Sequence, residues 1–159
     1  MSKLLVVHPE KCAGCRTCEL MCSFEHSKSF NPRLSAVTVI NYEKASISVP
    51  VMCMQCDDAC CLKVCPVGAI SRDEKGVIVQ NHDKCIVCKM CVSACPLGNM
   101  SYSPAVKRVF KCDLCGGDPK CVQFCSPGAI QYVDATESPG RKKAVAERFK
   151  DVFGEEALS

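Results

Sequence analysis

The chain has 159 residues, a formal charge of +3 and 17 cysteines, with no tryptophan, three tyrosines and six phenylalanines. Cysteine supplies so much of the 48% hydrophobic fraction that the ordinary apolar core is thin and a second framework must hold the chain; the odd cysteine count and the absence of a secretory apolar run in Met1–Pro9 favour metal over disulfides and a cytoplasmic setting. No stretch approaches the roughly 20 apolar residues of a membrane span, and the mild, scattered positive charge excludes a nucleic-acid surface.

Leu4–Val7 reads as a short strand. The first cysteine motif follows, Cys12, Cys15, Cys18 and Cys22, spaced C-x2-C-x2-C-x3-C. Thiols at i, i+3 and i+6 let one short loop wrap a single iron-sulfur cubane, and the chain then carries the fourth cysteine away to a different cluster. Zinc also accepts C-x2-C, but it takes four ligands as two separated pairs, so a third cysteine in the same loop is wasteful for it. Val37–Tyr42 and Ser46–Val51 alternate apolar and polar residues, which predicts a hairpin covering the clusters. The second motif is Cys53, Cys56, Cys60, Cys61 and Cys65, followed by Pro66. Residues 66–84 read as strand, glycine turn, strand. The third motif, Cys85, Cys88, Cys91 and Cys95 with Pro96, repeats the first spacing, and the fourth, Cys112, Cys115, Cys121 and Cys125, is looser. Ile130–Val133 reads as a strand and Asp134–Glu137 as a linker. Ser138 as N-cap and Pro139 as first residue then start a helix with Ala144, Val145, Phe149, Val152 and Phe153 on one side.

The chain duplicates itself. Motif one overlays motif three at a constant offset, Lys11-Cys12 on Lys84-Cys85 and Cys22 on Cys95. Motif two overlays motif four, ending in Gly68-Ala69-Ile70 and Gly128-Ala129-Ile130, with one extra residue in the later copy. Only Cys61 keeps that register with Cys121, so Cys60 reads as a free, buried thiol. The linker between motifs two and three resembles that inside a small two-cluster ferredoxin, which pairs these two in an inner module and leaves one and four to an outer one. A tandem pairing, one with two and three with four, is the alternative. The expected class is α+β: two ferredoxin-like 4Fe-4S dicluster modules with short antiparallel strands and small helices, plus a C-terminal helix. The expected divisions are residues 1–30 and 100–136 (outer module), 50–99 (inner module), 31–49 (hairpin insertion) and 137–159 (helical extension). His8, His26 and His82 read as structural or surface residues. Lys11, Arg16, Lys63, Lys84, Lys89 and Lys111 flank the cysteine loops, where positive charge favours a reduced cluster and a solvated surface is the plainer role.

On these four motifs and their order, over residues 4 to about 133, the chain resembles the four-cluster polyferredoxin subunits that accompany molybdenum or tungsten pterin enzymes. Relatives of this kind serve dimethyl sulfoxide reductase, formate dehydrogenase, hydrogenase, carbon monoxide dehydrogenase and aldehyde ferredoxin oxidoreductase complexes. Its shortness points toward the aldehyde oxidoreductase or carbon monoxide dehydrogenase type. The resemblance implies nested ligation of four 4Fe-4S clusters: Cys12, Cys15, Cys18 with Cys125; Cys112, Cys115, Cys121 with Cys22; Cys53, Cys56, Cys61 with Cys95; and Cys85, Cys88, Cys91 with Cys65. The chain departs from the family at Cys60, at Ala59 where proline is common, and at Ser126-Pro127 after Cys125.

All sixteen motif thiols are thereby consumed, no iron is left open to a substrate, and no dinucleotide loop is present, since Gly116-Gly117 lies between motif cysteines and reads as a turn. No catalytic residue is assigned. The expected role is a one-electron relay in a hetero-oligomer, between a catalytic oxidoreductase subunit carrying tungsten or molybdenum pterin and a further electron carrier or flavoprotein. A free, diffusible polyferredoxin, or a ferredoxin of a carbon monoxide dehydrogenase or hydrogenase, is the alternative. Each oxidised core carries about +2 against four thiolates, so four would take the chain to a net charge of about −5, less acidic than free ferredoxins.

Overall fold

The computed structural model describes residues 3–134; the helix expected over Ser138–Phe153 lies outside them. Eight short strands run β1 (Lys3–Val7), β2 (Thr38–Tyr42), β3 (Ile47–Val51), β4 (Ile70–Arg72), β5 (Ile78–Gln80), β6 (Ser101–Ser103), β7 (Arg108–Phe110) and β8 (Ile130–Asp134). Four helices are interspersed, α1 (Thr17–Ser27), α2 (Cys60–Lys63), α3 (Met90–Ala94) and α4 (Lys120–Gln123). The chain is thus α+β, with every sheet a two-stranded antiparallel ribbon.

Pairing follows the nested order. β1 joins β8 with Leu5 opposite Tyr132, so the two ends of the described chain meet, while β4 joins β5 within the linker between motifs two and three. The turn of that inner hairpin is built by Asp73, whose carboxylate accepts the N–H of Lys75 and of Val77, and by Gly76 at φ +80. Helix contacts agree, α1 packing on α4 and α2 on α3. Elements that flank motif one thus lie beside those of motif four, and elements of motif two beside those of motif three.

Two small cores result. One gathers Leu5, Val37, Val39, Met52, Leu114 and Ile130 around Cys18, Cys22, Cys112 and Cys121. The other gathers Ala59, Ile70, Ile78, Met100 and Val109 around Cys91. Four cysteines are buried in the first core and one in the second, so thiol side chains complete the thin apolar core expected from composition. The β2–β3 hairpin does cover motif one: Val37 and Val39 are buried beside Cys18 and Cys22, and the buried Glu19 carboxylate accepts the Val39 N–H at 2.6 Å. The loop of motif one passes so close beneath this hairpin that a Cβ on Gly14 would stand 2.7 Å from Ser48 Oγ.

Candidate metal centres

The cysteine loops share one backbone device. The second residue after the first cysteine of each motif, Gly14, Gln55, Val87 and Leu114, has a left-handed φ between +49° and +66°. Arg16 and Lys89, each the residue after the second cysteine, repeat it and cap α1 and α3. For Val87, a β-branched residue, this conformation is unfavourable and persists only where its surroundings impose it. These reversals curl each cysteine loop. The last cysteine of motifs two, three and four is followed by a recurrent turn: the N–H of Gly68, Gly98 and Gly128 donates to the carbonyl of Cys65, Cys95 and Cys125 at 3.3, 3.2 and 3.0 Å, whereas Cys22 of motif one lies within α1. Ser126-Pro127 therefore leaves the turn after Cys125 intact despite departing from Cys-Pro.

The duplication holds in space. Ala59 and Pro119 precede α2 and α4 with similar extended backbones, and Cys61 and Cys121 are each the second residue of those helices. Cys60 therefore corresponds to Lys120, not to a motif cysteine. Unlike the sequence expectation, Cys60 is exposed rather than buried. Adjacent helical residues point about 100° apart, so Cys61 packs against the inner core while Cys60 turns outward, although both border the same cavity.

That cavity is lined by Cys53, Cys56, Cys60 and Cys61 from motif two together with Cys95 from motif three, under Ile78, Met100 and Leu97. A second is lined by Cys85, Cys88 and Cys91 from motif three together with Cys65 from motif two, against Ile70 and Val109. Thiols of motifs one and four lie near one another as well. Burial pushes Cys18 up to about 12, with the nearby Cys12 and Cys125 adding to the shift, and pushes Cys121 up to about 12, with Cys115, Cys22 and Cys18 adding. Burial also takes Cys115 to about 11, with Cys22 close by, and raises Cys112 as well, beside Cys53, Cys121 and Cys22. In the first cavity burial raises Cys61, which the Lys111 charge pulls back, while Cys53 and Cys95 lie near it.

Several thiol sulfurs accept hydrogen bonds suited to a thiolate. Ala36 N–H donates to Cys22 at 3.3 Å, Ala69 N–H to Cys65 at 3.2 Å and Asn99 N–H to Cys95 at 3.4 Å. The Thr17 hydroxyl donates to Cys15 at 3.4 Å and lowers that thiol. Burial pushes Cys65 up, but the N–H groups of Ile70, Ala69, Val67 and Gly68 outweigh it and leave the thiol lowered. No disulfide joins any of the cysteines. Closely packed, buried thiols that resist ionisation alone become thiolates when a cationic metal core binds, releasing protons. The all-sulfur donor set, curled loops and N–H···S bonds fit iron-sulfur clusters. Asp58 reaches the rim of the first cavity, but its carboxylate is paired with Lys63.

Residues outside the cysteine runs also position these loops. Arg72 donates to the carbonyls of Cys56, Asp57 and Gly76 at 2.7, 2.6 and 2.9 Å, tying motif two to the β4–β5 turn. His26 Nε2 lies 3.5 Å from Asp113 Oδ1 and 3.7 Å from Cys115 Sγ, so it is a neighbour of motif four rather than a bystander. His8 borders Glu10 and Gln131. Burial lowers His82, with the Arg108 charge acting in the same direction.

With this geometry in place, residues 44–135 match the family profile of the 4Fe-4S dicluster domain, more than half of the chain, and the protein belongs to that family. Its curated relatives include the polyferredoxin-like subunit of the aliphatic sulfonate oxidoreductase of Pyrococcus furiosus, 47% identical over 85 residues (53% of this chain and 49% of that protein). Another is the electron transport protein HydN of Escherichia coli K12, 38% identical over 99 residues (56% of this chain and 53% of that protein). The chain spans about half the length of these curated relatives. Among solved structures, it resembles a chain of the BamBC active-site complex of benzoyl-coenzyme A reductase with 1,5-dienoyl-CoA, with TM-score 0.50 and 26% identity, covering 98% of this chain and 94% of that one. The resemblance read from the cysteine runs is thereby borne out: the chain is an iron-sulfur protein of the electron-transfer class and binds 4Fe-4S clusters. No helix among the described residues is long and apolar enough to cross a membrane.

Proposed function

We propose that the chain is a four-cluster electron relay, working in the cytoplasm between a catalytic subunit with tungsten or molybdenum pterin and a second carrier or flavoprotein. Bound 4Fe-4S clusters supply reversible one-electron chemistry. The residues supply sites, spacing and electrostatics. The observation that carries this reading is the exchange of fourth cysteines, Cys95 entering the cavity of motif two and Cys65 that of motif three. Each inner site is then closed by four motif cysteines without recourse to Cys60. In the outer module the neighbours of Cys18 and Cys121 support the matching assignment, Cys12, Cys15, Cys18 with Cys125 and Cys112, Cys115, Cys121 with Cys22. On packing grounds the β6–β7 hairpin, bearing the buried Val109 and with Met100 just before it, counts with the inner module. A catalytic partner is supported by the relatives, which include a subunit of an oxidoreductase and a chain of an active-site complex.

Anaerobic analysis of the purified chain should find about sixteen iron and sixteen sulfide; about twelve iron, or stoichiometric zinc, would contradict the assignment. Cys60→Ser should keep the full iron content and an unchanged spectrum, because Cys61 holds the motif register. Loss of one cluster's iron in that variant would transfer the ligand role to Cys60.

A further inference from the structure

Among the basic residues that flank the cysteine loops, Lys111 stands apart. Lys11, Lys63, Lys84 and Lys89 are exposed, as is Arg16, and water screens their charges. Lys111 is 8% exposed and is the sole buried cation among the described residues. Its Nζ donates to the carbonyls of Ile78 and Cys112 at 2.7 and 2.8 Å, and no ion pair involves it among the described residues. A buried ammonium held only by neutral carbonyls is costly, so an anionic group close by is needed to offset it.

The two carbonyls say where that group sits. Ile78 lines the cavity of Cys53, Cys56, Cys61 and Cys95, and Cys112, the first cysteine of motif four, has Cys53 beside its thiol. Gln55 closes the same junction from the other side, its Nε2 donating to the Cys112 carbonyl at 2.8 Å and its Oε1 accepting the Ile78 N–H at 2.9 Å. The inner and outer modules are thus clamped together where their sulfur ligands approach, with one positive charge inside the clamp. Four thiolates around a 4Fe-4S core leave a net negative unit, and reduction makes it one charge more negative. A fixed positive charge in a poorly screened interior stabilises the reduced form more than the oxidised form.

We propose that Lys111 is a counter-charge that raises the reduction potential of the cluster held by Cys53, Cys56, Cys61 and Cys95, making that site the resting place of an electron crossing between modules. The proposal rests on the cluster assignment above. Its test is Lys111→Met in the full chain, with iron content measured first and the midpoint of each cluster then followed by paramagnetic resonance during anaerobic redox titration. The cluster at issue is identified by its absence in Cys56→Ser. Full iron content is expected, with that one couple displaced downward so that its reduced-to-oxidised ratio at a fixed potential falls at least tenfold, or 59 mV for one electron. Lys111→Arg keeps the charge and should hold the potential near the native value. Unmoved potentials in an iron-replete Lys111→Met protein, a larger shift in another cluster, or an equal shift in Lys111→Arg would each overturn the proposal. If Lys111→Met fails to retain iron, Gln55→Glu places a negative charge in the same clamp and should lower the same couple; no shift there is equally fatal. A native chain with no clusters would instead refute the relay reading itself.

Discussion

Cys95→Ser should cost the iron held by the preceding motif and spare the iron held by its own. Cys95 lines the cavity of Cys53, Cys56 and Cys61 and is absent from the lining of the cavity of Cys85, Cys88 and Cys91. Its thiol is fixed there by the N–H of Asn99 and by the turn closed through Gly98. α3, which leads into Cys95, packs on α2, so the chain between Cys91 and Cys95 crosses from one site to the other. About four of about sixteen iron atoms should be lost. The remaining spectrum should match that of Cys56→Ser and differ from that of Cys88→Ser. A match to Cys88→Ser would mean that each motif keeps its own fourth cysteine, and the nested scheme would fall with it.

Cys56→Ser should interrupt transfer through the whole assembly while leaving a catalytic partner's half-reaction with an artificial dye largely intact. Cys56 lines the same cavity as Cys53, which neighbours Cys112 of motif four. Removing a ligand there opens a gap at the point where the two modules meet, and electron flow from the partner to a physiological acceptor should drop to background. Arg72 and Gln55 still anchor the surrounding loop through the carbonyl of Cys56 and the N–H of Ile78, so the fold should survive the loss. The isolated chain should reduce viologen or a ferredoxin but turn over no organic substrate. Loss of the dye-linked half-reaction, or substrate turnover by the chain alone, would show that the site does more than relay.

The cysteine runs were legible because their information is local. Thiols at i, i+3 and i+6 converge on one centre whatever the rest of the chain does, and the internal duplication exposed the register that separates Cys61 from Cys60. The β4–β5 hairpin was legible from Gly76 and flanking apolar residues, and the β2–β3 hairpin from alternation. Tertiary structure alone decided the rest. Cys60 proved exposed because a helix turn sends neighbouring side chains in different directions, and a count of cysteines carries no direction. Ser126-Pro127 keeps the turn after Cys125 because the Gly128 N–H reaches the Cys125 carbonyl with either residue order between them. Lys111 and Gln55 looked like any polar residues beside a cysteine loop. Their partners at Ile78 and Cys112 lie as far as 33 and 57 residues away, and only the folding of one module onto the other turns them from solvated side chains into a buried, charged clamp.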